Sequence, residues 1–121
     1  MLFARKNEAV CVLAVATDVL DLQGVVIADS NASSNYVRFA AAPDGLRYVD
    51  RDKTFADDWR HPDQIEHWRR KAAKCAEVLV PDRVDPGFVR GVYVSSDQAS
   101  AKVAVLNTGL TVTIDGHLFF L

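Results

Sequence analysis

The sequence predicts an α+β domain with a mixed or antiparallel sheet. Short apolar runs rich in β-branched residues recur along the chain and indicate strands. One basic segment instead has the three- and four-residue apolar spacing of an amphipathic helix. The chain has 121 residues, of which 50% are hydrophobic and 25% charged, which is ordinary for one globular domain of modest size.

Composition argues against several functional classes. A net charge of −2 gives no overall attraction to nucleic acid, so any such binding requires a local basic patch. Cys11, Cys75 and three scattered histidines lack metal-ligand spacing, and we expect no metal site. Because no apolar run could span a bilayer and the N-terminal segment does not resemble a signal peptide, we expect a cytoplasmic protein with no membrane contact.

The first elements are predicted to be two strands joined by a turn. Residues 9–16, AVCVLAVA, form a continuous apolar run that is typical of a buried strand. Thr17 or Asp18 can cap a short helical turn that ends at Gly24. A second short strand is predicted at residues 25–29.

The next segment contains polar and turn-forming residues. Residues 31–40 are expected to form a short helix that places Tyr36 and Phe39 near one face. APDG at residues 42–45 indicates a turn. The following LRYVD, residues 46–50, is compatible with a brief strand or an extended link.

The best-defined helix is predicted over residues 63–75, with Pro62 suited to its first turn. Its apolar residues share one helix face, at Ile65, Trp68, Ala72 and Cys75. The remaining surface is strongly basic, with Arg69, Arg70, Lys71 and Lys74. Basic and aromatic groups together suit single-stranded nucleic acid, whereas the simpler interpretation is a solvated helix face.

After this helix the sequence predicts two strands, a helix and a terminal hairpin. Strands are expected at residues 77–80 and 89–96, and a helix capped by Ser96 or Asp97 should reach about residue 106. The chain should close with a hairpin whose tight turn is Asp-Gly at residues 115–116.

Glu77 is the one acid at the start of an otherwise apolar strand. A carboxylate in such a place is costly unless it is paired or used. It could pair with Arg69, Arg83 or Arg90, or it could serve a reaction. The residues alone leave both interpretations open.

Three segments in order resemble the DarT family of DNA ADP-ribosyltransferase toxins. The first is DLQGVVIADSNASSNYVRFA at residues 21–40, similar to a family stretch with D-x-N-A. The second is DDWRHPDQIEHWRRKAAKCAEVLVPDRV at residues 57–84, which resembles the basic helix and loop that run into A-E-x-L-V. The third is FVRGVYVSS at residues 88–96, similar to the strand that follows.

The resemblance implies an ADP-ribosyltransferase-like fold, with a curved mixed or antiparallel sheet and short helices, and a role for each site residue. Glu77 would be the catalytic carboxylate in transfer of ADP-ribose from NAD to a base in single-stranded DNA. Asn31 and Cys75 would belong to the substrate loop; Cys75 stands where many ADP-ribosyltransferases have Gln or Glu. The DNA-facing side would comprise Arg38, Trp68, Arg69, Arg70, Lys71 and Lys74, of which Trp68 could equally belong to the core.

The same resemblance implies a toxin that is opposed by a macrodomain antitoxin. The alternative is a non-catalytic nucleic-acid-binding module that keeps the fold, and a third interpretation is a plain structural domain. The family's N-terminal NAD-binding portion has no match here, so residues 1–121 are expected to be the C-terminal portion of a single domain. By itself this chain should then be folded but inactive, with an exposed apolar patch near its first strand.

Overall fold

The computed structural model describes residues 9–119 and confirms the α+β class. Its strands and α-helices, in chain order, are β1 (Val12–Val15), β2 (Val26–Ala28), β3 (Phe39–Ala41), α1 (Arg51–Thr54), α2 (Gln64–Lys74), β4 (Glu77–Leu79), β5 (Val89–Val94), α3 (Asp97–Ala104) and β6 (Thr111–Ile114). Short 3-10 helices lie at Thr17–Asp21, Asp44–Tyr48, Pro86–Phe88 and Gly116–Leu118. The strands form two three-stranded sheets, one in each of two compact units.

The first unit combines the segment up to Thr17 with the segment from Asp85 onward. Its sheet has the order β1-β5-β6, with β1 antiparallel and β6 parallel to β5. A parallel pair requires a crossover connection, and α3 supplies it. The core consists of Val92, Val94 and Ala99, against which further apolar side chains pack: Val103, Leu110 and Val112.

The expected C-terminal hairpin is wrong for the part of it that the structure describes. After β6, the backbone N–H of Asp115 donates to the carbonyl of Val94 at 2.9 Å, which extends the pairing with β5. The Asp115 carboxylate then accepts from the backbone N–H of His117 at 3.0 Å and caps the 3-10 helix Gly116–Leu118. Asp-Gly therefore begins a helical turn, because β6 already has a partner in β5. Residues 120 and 121 of the expected hairpin lie outside the described residues.

The second unit, Asp18–Val84, contains the antiparallel sheet β3-β2-β4. The central strand β2 pairs Ile27 with Ala40 on one side and with Val78 on the other. Ile27 is 2% exposed and Ala28 is fully buried, so β2 forms the interior of this unit. The neighbouring strand β4 lies at an edge of the sheet, and all three of its residues are exposed.

The expected helix at residues 31–40 is also wrong. The segment consists of turns that lead into β3. Short polar side chains compete with helical hydrogen bonds here: Asn31 Oδ1 accepts from the backbone N–H of Ser33 at 3.0 Å, and Ser34 Oγ accepts from that of Tyr36 at 3.3 Å. Such local bonds favour a turn over a helix.

Two further expectations differ from the structure. The first strand is shorter than residues 9–16 and is not buried, since Leu13 is 51% and Val15 is 41% exposed. Of residues 46–50, expected as a brief strand or an extended link, the first three complete the 3-10 helix Asp44–Tyr48, and only Val49 and Asp50 are extended. The sequence interpretation also missed α1, which Asp50 caps by accepting from the backbone N–H of Lys53 at 3.0 Å.

Candidate active site

Glu77 is the first residue of β4 and follows directly on the end of α2, as the sequence predicted. The helix begins at an Asp63 cap, whose carboxylate accepts from the backbone N–H of Glu66 at 3.0 Å. It ends at Cys75, whose N–H donates to the carbonyl of Ala72 at 3.0 Å. In β4, Glu77 lies opposite the buried Ala28 of β2, so a rigid strand pair carries an exposed carboxylate.

The loop that connects β2 to β3 contacts this carboxylate. We name residues 30–37 the Asn31 loop. The backbone N–H of Ala32 donates to Oε2 of Glu77 at 3.2 Å. The N–H of Asn31 donates to the carbonyl of Ala72 near the end of α2 at 2.9 Å. Oδ1 of Asn31 accepts from both the N–H and the hydroxyl of Ser33, at 3.0 and 2.7 Å.

The Asn31 loop is closed at its base by Asp29 and Arg38. The Arg38 side-chain Nε lies 2.9 Å from Oδ2 of Asp29, and the Arg38 backbone N–H donates to Oδ1 at 2.8 Å. Partial burial acts to raise the pKa of Asp29, but the hydrogen bonds and charge of Arg38 outweigh it and hold that pKa below its ordinary value. The Arg38 guanidinium also lies 5.1 Å from the ring centroid of Tyr48.

A groove of about 670 Å³ lies between the Asn31 loop and α2. We name it the Trp68 groove; it is lined by Ser30, Ser34, Asn35, Tyr36, Lys53, Ile65, Trp68, Arg69, Ala72 and Ala73. Trp68 is 59% and Tyr36 is 71% exposed, so neither ring is part of the core. The Arg69 guanidinium lies 5.5 Å from the centroid of the Tyr36 ring, a cation–π distance.

A second, smaller cavity of about 220 Å³ contains several of the predicted site residues. We name it the Cys75 cavity; it is lined by Asn31, Ser33, Ser34, Trp68, Lys71, Ala72 and Cys75. The structure therefore brings both predicted substrate-loop residues, Asn31 and Cys75, to the same cavity as Trp68 and Lys71. Cys75 is exposed and is not in a disulfide.

Two other cations of α2, Arg70 and Lys74, have partners within the protein. Arg70 Nε donates to Oε1 of Glu66 at 3.0 Å, and Lys53 Nζ lies 3.7 Å from the same oxygen. The hydrogen bond from Arg70 lowers the pKa of Glu66. Lys74 Nζ donates to the carbonyl of Ala56. Lys71, by contrast, is exposed and makes no ion pair with any residue that the structure describes.

Residues 1–120 match the family model described as "ssDNA thymidine ADP-ribosyltransferase, DarT". The chain belongs to the DarT family. It is 26% identical over 122 residues to a Thermosipho africanus (strain H17ap60334) protein named "DNA ADP-ribosyl transferase-DNA ADP-ribosyl glycohydrolase fusion protein". That match covers 96% of this chain and 29% of the relative, so the chain spans less than a third of the relative's length.

Solved DarT structures share the fold. Thermosipho africanus DarTG in complex with ADP-ribose has a TM-score of 0.76 at 25% identity, over 96% of this chain and 30% of that one. Thermus sp. 2.9 DarT in complex with carba-NAD+ has a TM-score of 0.81 at 17% identity, over 98% and 62% of the two chains. The same Thermus protein in complex with ADP-ribosylated ssDNA has a TM-score of 0.76 at 17% identity, over 91% and 54%. The Thermus likeness concerns the fold alone.

The sequence interpretation of this DarT-family chain missed three groups at the site. Tyr36 is expected beside Phe39 on one face of a short helix, whereas it lines the Trp68 groove beneath Arg69. Asp29 is expected at a strand end and in the D-x-N-A stretch but with no role of its own, whereas it holds Arg38. The donor to Glu77 is a backbone N–H, that of Ala32, which no side-chain pattern could reveal. The available signals were a tyrosine within the polar run SNASSNY and the D-x-N-A stretch that contains Asp29 and Ala32.

Residues 9–119 contain no cluster of three or more His, Cys, Asp and Glu that could hold a metal ion. Among those same residues, no helix is both long and apolar enough to cross a membrane.

Proposed function

We propose that this chain carries the catalytic carboxylate of an enzyme that transfers ADP-ribose from NAD to a base in single-stranded DNA. The observation that carries the proposal is the position of Glu77, which is exposed at the first residue of β4 and oriented by the Ala32 N–H. Membership of a family described by that reaction supports the assignment. A carboxylate that served only as an ion-pair partner would have a cation beside it, but Glu77 has none among the described residues.

The geometry suits the charge that develops in this reaction. When the bond between nicotinamide and ribose breaks, nicotinamide leaves with the electron pair and the ribose becomes oxocarbenium-like. Oε2 of Glu77 accepts from Ala32, whereas Oε1 has no hydrogen-bond partner among the described residues. That oxygen is available to hold the ribose 2′-hydroxyl and to stabilise the positive charge. As the base nitrogen bonds to the ribose carbon, the same carboxylate can help to remove its proton.

The acceptor DNA would bind along α2. In this proposal Trp68, Arg69 and Lys71 provide the first contacts, because they line the two cavities beside the Asn31 loop. Arg38, Arg70 and Lys74 are assigned to phosphate binding too, although each already has a partner within the protein. Asn31 and Cys75 belong to the substrate loop in this proposal. Asn31 directly precedes Ala32, the donor to Glu77, and Cys75 lies two positions before Glu77 and lines the same cavity as Asn31.

We further propose that the protein is a toxin whose mark is removed by a macrodomain antitoxin. The Thermosipho relative supports this, because its name joins a DNA ADP-ribosyl transferase to a DNA ADP-ribosyl glycohydrolase. A transferase that modifies DNA bases needs such a counterpart if the cell is to survive. DNA and NAD both occur in the cytoplasm, and we assign the reaction to that compartment.

The test uses the complete gene product, NAD and a short single-stranded oligonucleotide, and it detects an NAD-dependent gel shift and the mass of the modified strand. Glu77→Gln keeps the size of the side chain and its acceptor for Ala32 but removes the charge, and modification should fall by about a hundredfold or more. Asp82→Asn is the matched control, because it removes a carboxylate shortly after β4 at a left-handed position (φ 64°) that Asn tolerates.

Three outcomes distinguish the alternatives. Loss of modification in Glu77→Gln, with oligonucleotide binding and the Asp82→Asn control intact, supports the proposal. Oligonucleotide binding without any NAD-dependent modification by the unaltered protein would instead identify a non-catalytic nucleic-acid-binding module. If the unaltered protein neither binds nor modifies the oligonucleotide, the structural-domain interpretation is favoured. Unchanged activity in Glu77→Gln would show that Glu77 has no part in the mechanism.

A further inference from the structure

We propose that the Trp68 groove is a subsite for an unpaired DNA base next to the base that is modified, with Tyr36 and Trp68 as its stacking surfaces. This inference rests on the proposed function, because it takes single-stranded DNA as the acceptor. Beyond the proposed function, it assigns a second binding position that is separate from Glu77. It also assigns the residues that would select the neighbouring nucleotide.

The first support is the exposure of the two rings. Tyr36 on the Asn31 loop and Trp68 on α2 line the same groove and are each more than half exposed. Ile65, one turn before Trp68 on the helix, adds an apolar surface that is 59% exposed. Base stacking on aromatic side chains is a principal source of affinity for single-stranded DNA. A groove of about 670 Å³ has ample room for a base and its sugar.

The second support is the charge of the groove. Arg69 lies over the Tyr36 ring and Lys53 also lines the groove, while none of the described lining residues is acidic. In a protein of net charge −2, a groove whose charged lining residues are all basic is a local exception that favours a polyanion. The Tyr36 ring holds the Arg69 guanidinium where it could meet a phosphate at the edge of the groove.

The third support is continuity with the Cys75 cavity. Ser34, Trp68 and Ala72 line both spaces, so the Trp68 groove adjoins the cavity that contains Asn31 and Cys75. Asn31 in turn precedes Ala32, the donor to Glu77. Two adjoining sites suit DNA, a polymer with successive bases, better than they suit NAD, a single dinucleotide. One base would lie near Glu77, and its neighbour would stack in the groove.

Polar groups of the groove could then read the neighbouring base. Ser34 and Asn35 lie in its lining beside the aromatic walls. An asparagine amide offers one acceptor and two donors, which can pair with the edge of a base. We therefore assign to Asn35 the selection of the nucleotide beside the modified one.

The test measures binding without NAD, using the fluorescence of Trp68 in the chain itself. The sequence has two tryptophans, so Trp59→Phe leaves Trp68 as the only one. Three probes are titrated: a short single-stranded DNA oligonucleotide, an abasic oligonucleotide with the same number of phosphates, and NAD. Saturable quenching by the first probe alone is the expected result. Equal quenching by the abasic strand, or saturation of the signal by NAD, would overturn the assignment to a DNA base.

Variants then test each wall by fluorescence anisotropy of a labelled oligonucleotide. Tyr36→Ala and Trp68→Ala should each weaken binding roughly tenfold or more, which is the range measured for loss of one stacked base. Tyr36→Phe keeps a stacking ring and should bind normally. Phe55→Ala is the matched control, because Phe55 is an aromatic residue 74% exposed that does not line the groove. Thermal unfolding of each variant shows whether it is folded.

The results separate this inference from the proposed function. If Glu77→Gln abolishes modification while folded Tyr36→Ala and Trp68→Ala bind DNA normally, the groove is not a base subsite and the proposed function stands. If the groove variants lose binding while Glu77→Gln remains active, the subsite stands and the role of Glu77 falls. Changed preference for the neighbouring nucleotide in Asn35→Ala would support the reading role, and an unchanged preference would overturn it.

Discussion

The backbone N–H of Ala32 and the carboxylate of Glu77 are 45 positions apart in sequence and form a 3.2 Å hydrogen bond. This bond joins the Asn31 loop to the first residue of β4. It fixes one oxygen of the carboxylate and thereby limits the rotation of an otherwise exposed side chain. A preorganised carboxylate loses less freedom when the transition state forms.

Removal of the Ala32 donor should slow the reaction. Ala32→Pro eliminates the N–H, whereas Ala32→Ser keeps it and serves as the control. A hydrogen bond to a charged group contributes about 1.5–3 kcal/mol, so we expect kcat to fall roughly tenfold or more in the proline variant. Single-turnover rates of oligonucleotide modification by the complete gene product measure this. Equal rates in the two variants, both folded, would show that the bond has no part in catalysis.

Asn31 should act as a positioning residue for Glu77. Its N–H donates to Ala72 and its side chain accepts twice from Ser33, so it holds the turn that presents the next N–H, that of Ala32. In Asn31→Ala the side-chain bonds are lost, and kcat should fall several-fold while KM for the oligonucleotide changes little. Asn31→Asp retains the acceptor oxygen and should recover most of the rate. A rise in KM alone would instead indicate that Asn31 binds DNA directly.

Local sequence patterns predicted the parts of this site that depend on local structure. The spacing of Ile65, Trp68 and Ala72 gave the helix α2, and the apolar run after Glu77 gave β4. The candidate role of Glu77 came from the resemblance of its segment to a family motif. Each of these features depends on residues that are close together in sequence, so a single sequence is enough to predict it.

Two kinds of feature were not predictable in the same way: a choice between helix and turn that short polar side chains decide, and contacts between segments far apart in sequence. Asn31 and Ser34 turned the expected helix into a loop because their side chains bond nearby backbone groups. β6 pairs in parallel with β5 across the helix α3, so the Asp-Gly signal at residues 115–116 lost its usual meaning. The Trp68 groove exists because Tyr36 and Trp68 meet at one cavity from segments far apart in sequence.

The base of the Asn31 loop should be acid-sensitive. Asp29 has a folded-state pKa below its ordinary value, so it binds a proton more readily when the protein is unfolded. Its contribution to stability is therefore fully present above about pH 4 and is lost as the pH falls through the lower, folded-state pKa. Asp29→Asn should destabilise the protein by about 1 kcal/mol at neutral pH, because Arg38 is largely exposed and water weakens the pair.

Urea unfolding at several pH values measures this effect. The difference in unfolding free energy between the parent and Asp29→Asn should shrink as the pH falls below 4. Asp58→Asn is a comparison at an exposed ion pair, where Arg60 lowers the pKa of Asp58 to about 2, and its effect on stability should likewise shrink as the pH falls. A pH-independent difference for Asp29→Asn would show that the charge of Asp29 does not stabilise the loop.

Lys71 should contribute more to the salt dependence of DNA binding than its neighbour Arg70. Lys71 lines the Cys75 cavity without an ion-pair partner among the described residues, whereas Arg70 is bound to Glu66 at 3.0 Å. Each cation that neutralises a phosphate of single-stranded DNA adds about 0.7 to the slope of log affinity against log salt concentration. Lys71→Gln should reduce the slope by about this amount, and Arg70→Gln should reduce it less because part of the charge of Arg70 is already compensated.

Binding isotherms of the single and double variants at four or more salt concentrations give the slopes. Slopes that match the unaltered protein in all three variants would mean that these cations form only a solvated helix face.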